Sequence, residues 1–339
     1  MERLPFKFRI LLYFFSFASF ISRRSNVTVN RFLMSLFDPK YSASSKPRHG
    51  VSTYDVVFDP SHNLWFRLFL PSSSSSTDNN NVTDLPVIVY YHGGGFVFFS
   101  ANSMAYDDLC RRLARELRVA VVSVNYRLSP EHRCPIPYED GFDALKYLDG
   151  MDLDGGGFPV KLDVSRCFLA GDSAGGNLAH HVAVRAGGHN FKKLKIKGII
   201  AIQPFFGGEE RVESEIKFSK SPMLNLEQAD WYWKAFLPKG CDRNHPAVHV
   251  FGPSGGDEIS KVKFPTTLLI LGGKDQLGDW GKKYYEWLKD ECGKEVDLVE
   301  YPNAIHGFYV VPELKDSSLL IKDMNDFIHK IIGKLKIEG

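Results

Sequence analysis

An apolar run that ends in a Gly-Asp-Ser-Ala-Gly turn constrains this chain more than any other stretch. Residues 168–179 read FLAGDSAGGNLA, so small and helix-favouring residues follow the turn at once. This order predicts a strand, a sharp turn and a helix, with the hydroxyl of Ser173 exposed above a sheet. The backbone N–H of Ala174, at the start of the helix, would point to where an oxyanion forms. Ser173 is therefore the candidate nucleophile. The alternative is an ordinary serine in a tight turn.

Three consecutive glycines after the first central apolar run offer further backbone donors. Residues 92–96 read HGGGF. Because glycine has no Cβ, such N–H groups can turn inward, and one donor to a tetrahedral intermediate is worth about 3 kcal/mol. We assign Gly93 and Gly94 as oxyanion donors beside Ala174, and His92 as a brace for the loop. A phosphate-binding loop is the alternative, but no Gly-Lys-Ser/Thr follows.

The general base is expected late in the chain, since sites of this type are ordered serine, acid, histidine. Two histidines satisfy that order, His306 and His329. His306 lies in a loop after the last apolar run, where an imidazole can reach a serine. His329 falls off the apolar stripe of a C-terminal helix and is predicted to be a solvated surface residue. His306 is therefore the candidate base.

The acid is expected in the loop after the preceding strand. An apolar run ends at Leu271, and a Gly-Gly-Lys-Asp sequence follows it. Asp275 falls directly in that loop, where it would hold the tautomer of the histidine and stabilise the imidazolium. Asp279 is the alternative, but it lies where a helix starts, which is typical of a cap or a first-turn charge. The predicted triad is Ser173, Asp275 and His306.

Strand-like and helix-like segments alternate along most of the chain. Apolar or β-branched runs predict strands at 54–59, 64–70, 87–91, 119–124, 167–170, 196–202, 267–271 and 296–299. Helices are predicted at 107–118, 138–148, 174–185, 280–292 and 319–335. This alternation predicts a mainly parallel sheet with helices on both faces, to which the first two strands add an antiparallel edge. The stretch 207–256 breaks the pattern and is predicted to be an aromatic-rich, partly helical insertion over the catalytic face.

Composition and charge narrow the class of protein. With 44% hydrophobic and 24% charged residues, the composition is that of an ordinary globular protein. The formal net charge is +2 and the basic residues are scattered, so nucleic-acid binding is not indicated. The five cysteines lack a CxxC spacing, which argues against a disulfide framework or a zinc site and favours a reducing compartment. No metal and no organic cofactor is expected.

The N-terminal segment has two interpretations. Residues 10–21 are apolar apart from two serines, and the basic residues at 3, 7 and 9 precede them, as in a signal peptide. Arginines at 23 and 24 follow at once, which argues against cleavage. The segment is too short to cross a bilayer, so no membrane span is expected. The alternative is a helix that docks on the body of the protein.

Several motifs together resemble one known family. They are HGGGF at 92–96, NYRLSPEH at 125–132, GDSAGGN at 171–177 and HGF at 306–308. The chain resembles the hormone-sensitive-lipase-type hydrolases and, nearly end to end, plant carboxylesterases, including the branch that contains the gibberellin receptors. The resemblance implies an α/β-hydrolase fold with an eight-stranded sheet. It also implies a lid and connector over residues 1–50 and a catalytic domain over residues 51–339.

Within this resemblance, the alternative to an esterase is a gibberellin-receptor-like protein that binds hormone without turnover. As the resemblance implies, receptors keep the serine but lack the histidine, which is present here as His306. Receptors are also expected to have serine at the third glycine of the run, an Asp-Arg pair before the aromatic motif of the insertion, and a lid tyrosine. The corresponding residues here are Gly95, Gln228-Ala229 and Ser19. Dehydratase relatives carry threonine in place of Ser173. These differences favour hydrolysis.

The substrate pocket is expected to be apolar and rich in aromatic residues. The predicted lining residues are Phe15, Phe17, Phe20, Arg24, Gly95, Tyr126, Trp231, Tyr232 and Tyr309. Arg24 and Arg31 are the only cations expected nearby, so a small to medium apolar ester is favoured over an anionic one. We expect a small-molecule ester as the partner and a location in the cytoplasm, with the nucleus as a further compartment and secretion less favoured.

Overall fold

An eight-stranded sheet runs through the computed structural model, which describes residues 6–72, 84–151, 160–252, 259 and 261–338. Its strands in chain order are β1 (Val51–Asp59), β2 (Leu64–Pro71), β3 (Leu85–Tyr91), β4 (Ala120–Asn125), β5 (Leu162–Asp172), β6 (Ile196–Ile202), β7 (Thr266–Lys274) and β8 (Val296–Ile305). The spatial order is β1-β2-β4-β3-β5-β6-β7-β8. Strand β2 is antiparallel to both of its neighbours, and all other pairs are parallel. The predicted mainly parallel sheet with an antiparallel N-terminal edge is confirmed.

Helices connect the strands and precede the sheet. They are α1 (Phe6–Ser22), α2 (Arg31–Phe37), α3 (Met104–Leu117), α4 (Ile136–Gly150), α5 (Ala174–Gly187), α6 (Glu213–Lys217), α7 (Leu226–Phe236), α8 (Gly278–Glu286) and α9 (Lys315–Glu338). A π-helical turn, Trp287–Glu291, extends α8, and a 3-10 turn, Phe308–Val310, follows β8. The helices predicted between and after the parallel strands are present, with somewhat different ends. The sequence pattern does not predict α2 and α6, because so few residues show no clear periodicity.

Side chains of β3 alternate between two apolar cores, one on each face of the sheet. Val87 and Val89 belong to the core that contains α4, α5 and α8. Ile88 and Tyr90 belong to the core formed with α3 and α9. The central strands are therefore covered on both sides, which explains why they read as nearly continuous apolar runs. This arrangement confirms the prediction of helices on both faces of the sheet.

The N-terminal helix α1 is docked on the body by one narrow face. Leu12, Ala18 and Ser22 are buried, whereas Tyr13 and Phe20 are more than half exposed. Phe17 is also more than half exposed, so three of the described aromatic side chains of α1 are largely in solvent. Among the described residues, no helix has both the length and the apolarity needed to cross a lipid bilayer.

The insertion between β6 and β7 packs on the body through α7. This helix begins at a reciprocal cap: Asn225 Oδ1 accepts from the backbone N–H of Gln228 at 2.8 Å, and Gln228 Oε1 accepts from the backbone N–H of Asn225 at 2.9 Å. Tyr232, Trp233 and Phe236 are buried. Residues 253–256 of the predicted insertion lie outside the described residues, as does the stretch 73–81, which consists of polar residues.

Candidate active site

The turn between β5 and α5 holds Ser173 in a strained conformation. Its φ of 53° and ψ of −119° are rare for a residue with a Cβ, and such backbone conformations cost about 1–3 kcal/mol. The backbone N–H of Ser173 donates to the carbonyl of Ile202 on β6 at 2.9 Å, which ties the turn to the neighbouring strand. The strand, turn and helix are thus as predicted, with the serine at the apex.

Ser173, His306 and Asp275 form a continuous chain of hydrogen bonds. His306 Nε2 lies 3.1 Å from Ser173 Oγ, and His306 Nδ1 lies 2.8 Å from Asp275 Oδ2. All three side chains are buried. Because an ionised carboxylate can only accept, Nδ1 carries the proton and Nε2 is left to accept from the serine hydroxyl. The structure therefore brings together three residues that the sequence places in three separate loops.

The two alternative residues lie away from this chain of hydrogen bonds. The carboxylate of Asp279, in the first turn of α8, accepts the backbone N–H of Ser214 at 2.7 Å, which joins α8 to α6. His329 is exposed on α9. Neither of these two residues lines the cavity at Ser173. Both therefore occupy the kind of position that the sequence analysis expects for them.

The first glycine of the run after β3 differs from the prediction. The N–H of Gly93 donates to the hydroxyl of Tyr106 at 2.9 Å and to Asp172 Oδ1 at 3.1 Å. Both acceptors are buried, so this N–H points into the protein. The contact corrects the prediction that Gly93 is an oxyanion donor, because a donor committed to buried acceptors cannot face a substrate.

The next two glycines of the run face the cavity. Gly94 and Gly95 line it together with Ser173. Within the described part of the chain, no backbone or side-chain acceptor takes the N–H of Gly94, Gly95 or Ala174. The sequence analysis predicts Gly95 only as a substrate contact. In the structure Gly95, and not Gly93, lines the cavity beside Gly94. A donor set at this turn would consist of the second and third glycines and Ala174.

His92 and Tyr126 support the glycine run from behind. His92 Nδ1 donates to the carbonyl of Gly93 at 2.8 Å, and the imidazole stacks on the ring of Tyr126 with 4.3 Å between centroids. The hydroxyl of Tyr126 donates to the carbonyl of His92 at 2.7 Å. Burial lowers the pKa of His92 to about 3, so the ring is neutral near pH 7. His92 thus braces the loop as predicted, whereas Tyr126 lies behind the loop and does not line the cavity, contrary to prediction.

A cavity of about 290 Å³ opens at Ser173 and His306. Four of the predicted lining residues are there: Phe15, Gly95, Tyr232 and Tyr309. Further apolar lining comes from Leu12, Phe37, Met104, Met223, Leu224 and Val310. The cavity is thus apolar and partly aromatic, and α1, α2 and the stretch before α7 contribute to its walls.

Two predicted aromatic residues of α1 lie on the wrong face of the helix. Phe17 and Phe20 are 56% and 64% exposed and do not line the cavity. Phe15 does line it, and its ring stacks on Phe99 at 4.9 Å. Since residues 15 and 17 are about 200° apart around a helix, they cannot both face the same cavity. The prediction for Phe17 and Phe20 is therefore wrong.

Three predicted residues belong to the N-terminal segment or contact it, and their side chains do not reach the cavity: Arg24, Arg31 and Trp231. Trp231 Nε1 donates to the carbonyl of Arg24 at 3.3 Å, which joins the insertion to the segment after α1. Arg31 forms a two-point ion pair with Glu131 at 3.0 and 2.5 Å. None of these side chains lines the cavity, so the predictions of Arg24 and Trp231 as substrate contacts are corrected.

Three acidic residues line the cavity, Asp38, Asp108 and Asp172, and the sequence analysis does not predict them there. Asp38 follows α2 and accepts from Lys40 Nζ at 2.5 Å and from Ser103 Oγ at 3.0 Å. Asp108, on α3, pairs with Arg48 at 3.2 Å, and burial raises the pKa of its carboxyl above the ordinary value. Among the described residues, the lining contains no lysine or arginine. No local motif marks Asp38 and Asp108 as cavity residues, because only tertiary packing brings them close to Ser173.

Known proteins are similar to this chain in sequence and in fold. The family described as alpha/beta hydrolase fold matches residues 88–310. The gibberellin receptor GID1B of Arabidopsis thaliana is 38% identical over 337 residues, which cover 96% of this chain and 92% of the receptor. Carboxylesterase 20 of the same plant is 34% identical over 292 residues, or 84% of this chain and 88% of that enzyme. A hyperthermophilic esterase of the archaeon Pyrobaculum calidifontis is similar in structure, with a TM-score of 0.71 at 27% identity over 98% of this chain and 99% of its own.

The family match spans well over half of the chain, and both plant relatives are more than 30% identical over most of it. Esterases are also among the similar solved structures, which agrees with the strand order and with the serine at the turn after β5. The chain therefore belongs to the alpha/beta hydrolase fold family, within its group of plant carboxylesterases and gibberellin receptors.

Proposed function

We propose that the protein is a carboxylic ester hydrolase in which Ser173 is the nucleophile, His306 the general base and Asp275 the acid that orients the base. The observation that carries this proposal is the hydrogen-bonded chain of these three side chains, with its serine end in an apolar cavity. A base within hydrogen-bond reach of the nucleophile, itself held by a third group, is the arrangement that activates a serine.

The reaction would proceed by two-step acyl transfer. Ser173 Oγ attacks the ester carbonyl while His306 Nε2 takes the hydroxyl proton, and the N–H groups of Gly94, Gly95 and Ala174 hold the oxyanion. His306 then gives the proton to the leaving alcohol as the tetrahedral intermediate collapses to the acyl-enzyme. In the second step His306 Nε2 takes a proton from water as the water oxygen attacks the acyl carbonyl. The second tetrahedral intermediate collapses, the bond between the acyl carbon and Ser173 Oγ breaks, His306 returns the proton to Oγ, and the acid is released.

Asp275→Asn is expected to lower kcat by about 10⁴-fold, because an amide favours the wrong tautomer of His306 and does not stabilise its imidazolium. The matched control is Asp279→Asn, whose carboxylate holds a backbone N–H of α6, and its kcat should stay near the wild-type value. Initial rates on p-nitrophenyl butyrate, with circular dichroism to check folding, measure both. A larger loss in Asp279→Asn than in Asp275→Asn would reverse the assignment of the acid.

The cavity suits an uncharged ester of modest size. Its volume of about 290 Å³ lies at the small end of the range for ligand pockets. Its walls are largely apolar. They contain three carboxylates, Asp38, Asp108 and Asp172, and no lysine or arginine among the described lining residues. A substrate carboxylate placed there would lose hydration and gain no ion pair. The proposed substrate class is therefore a small to medium apolar ester.

A carboxylate on the acyl chain is expected to lower kcat/KM by about 10- to 100-fold, because about 1.4–2.7 kcal/mol of transition-state binding is lost. The matched substrates are p-nitrophenyl hydrogen succinate and its methyl ester, which differ in one charge. Asp38→Asn should reduce the difference in kcat/KM between the two esters, since it removes the carboxylate that pairs with Lys40 near the cavity. Asp143→Asn, on α4, should leave that difference unchanged, because Asp143 does not line the cavity. Equal kcat/KM for the two esters would contradict the proposed substrate class.

A hormone receptor without turnover is the second candidate, and the 38% identity to GID1B favours it. Two features of the site weigh against it. His306 is present and hydrogen-bonded to Ser173. Gly95 has a φ of +64°, and a Cβ at that residue would lie 2.5 Å from the ring of Tyr232. The serine that the resemblance implies for receptors would therefore displace Tyr232 here.

The two candidates are separated by one experiment on the purified protein. Hydrolysis of p-nitrophenyl esters of increasing acyl length is measured beside a titration with gibberellin. We expect turnover that falls once the acyl chain exceeds the cavity, and no saturable hormone binding. Tight hormone binding without ester turnover would instead support the receptor.

A further inference from the structure

The carboxylate of Asp172, the residue before Ser173, gathers four hydrogen-bond donors. Oδ1 accepts from the hydroxyl of Tyr90 at 2.7 Å and from the N–H of Gly93 at 3.1 Å. Oδ2 accepts from the hydroxyls of Tyr106 at 2.8 Å and Tyr309 at 2.7 Å. Asp172 borders the cavity but is only 1% exposed, so these contacts are largely shielded from solvent. Burial of a charge without a basic partner is unfavourable, so stability alone does not explain the presence of this carboxylate.

The four donors come from four different parts of the fold that meet at the active site. Tyr90 lies on β3, and Gly93 lies in the loop that carries the cavity-facing glycines. Tyr106 lies on α3, and its hydroxyl also accepts the N–H of Gly93 at 2.9 Å. Tyr309 lies in the 3-10 turn that follows His306. One carboxylate thus links the nucleophile's turn to the glycine loop and to the histidine's loop.

The donor pattern matches an ionised carboxylate. Such a group has about four acceptor sites on two oxygens, and here four donors occupy them. If the acid were protonated, one of its oxygens would carry an O–H group that faces one of those donors. Burial raises the pKa of Asp172, and the hydrogen bonds from Tyr309, Tyr90 and Tyr106 act in the opposite direction.

The glycine at position 93 is needed for this contact. A Cβ there would lie 2.4 Å from Asp172 Oδ2 and 2.8 Å from the hydroxyl of Tyr106. Without a side chain, the backbone approaches the carboxylate and its N–H turns inward. The next peptide units then lie along the cavity, which is where Gly94 and Gly95 are found.

We propose that Asp172, with Tyr106 and Tyr309, is a positioning residue that sets the oxyanion loop and the His306 turn relative to Ser173. This inference rests on the proposed esterase function. It predicts that Asp172 affects the chemical step, and so kcat, and not the affinity for substrate. A misplacement of about 1 Å at a catalytic group lowers rates by about 10²-fold, which sets the expected size of the effect.

Asp172→Asn is the direct test, since the amide keeps the shape but cannot accept from all four donors. We expect kcat on p-nitrophenyl butyrate to fall by about 10²-fold with KM nearly unchanged. A trifluoromethyl ketone forms a tetrahedral adduct with the serine, and its inhibition constant should rise by a similar factor. The matched control is Asp149→Asn, a buried acid that accepts three backbone N–H groups of residues 192–194 far from the cavity. It should lower the melting temperature and leave kcat unchanged.

If Asp172→Asn does not fold, variants that remove the tyrosine hydroxyls test the positioning role of Asp172 instead. Tyr106→Phe and Tyr309→Phe should each lower kcat with KM unchanged, whereas Tyr301→Phe, whose hydroxyl binds Asp323 away from the site, should not. Unchanged kcat in both deletions, or in a folded Asp172→Asn, would overturn this inference alone. Wild-type protein without Ser173-dependent turnover would overturn the proposed function and the inference together.

Discussion

Ser173→Ala is expected to lower kcat on p-nitrophenyl butyrate by about 10⁶-fold. The oxygen that would form the acyl-enzyme is removed, while the cavity and the backbone donors stay in place. Residual hydrolysis above the rate in water should persist, because the oxyanion site and substrate binding still operate. Steady-state rates for purified wild type and variant measure the loss.

The control for this substitution is Ser165→Ala, at the opposite end of the same strand. The hydroxyl of Ser165 donates to Asp163 at 2.6 Å and lies far from the turn after β5. This variant should keep the wild-type kcat. Equal rates for wild type and Ser173→Ala would exclude Ser173 as the nucleophile.

His306→Val is expected to cause a loss of similar size, about 10⁶-fold in kcat, because a serine without its base is a weak nucleophile. The double variant Ser173→Ala/His306→Val should be no slower than either single variant, since the two residues act as a unit. Valine leaves the 3-10 turn and the cavity walls in place, so the melting temperature should change little. Rates and thermal unfolding, measured on the same preparations, separate the two effects.

His329→Val is the matched control, a histidine exposed on α9 that should keep full activity. The variant His306→Val also bears on the receptor alternative, because loss of this histidine is what the resemblance associates with receptors. If it acquired saturable gibberellin binding, the cavity would be suited to hormone after all. If it kept wild-type turnover, His306 would not be the base.

The sequence by itself determined those features that depend on short stretches of chain. The strand, turn and helix around Ser173 follow from an apolar run, a Gly-x-Ser-x-Gly turn and small residues that are all local. The mainly parallel sheet follows from alternating periodicities. Asp275 and His306 could be chosen over Asp279 and His329 because each follows a strand, and parallel strands bring their carboxyl ends to one edge.

Only the tertiary structure decided which groups face the cavity. Glycines 93, 94 and 95 look alike in sequence, and the buried carboxylate of Asp172 is what turns the first N–H inward. Phe15 and Phe17 are both aromatic, yet the docking of α1 turns one to the cavity and the other to solvent. The physical reason is the same in both cases. Local pattern sets the backbone conformation, whereas the direction of a side chain or an N–H depends on partners distant in the chain, whose arrival no local pattern records.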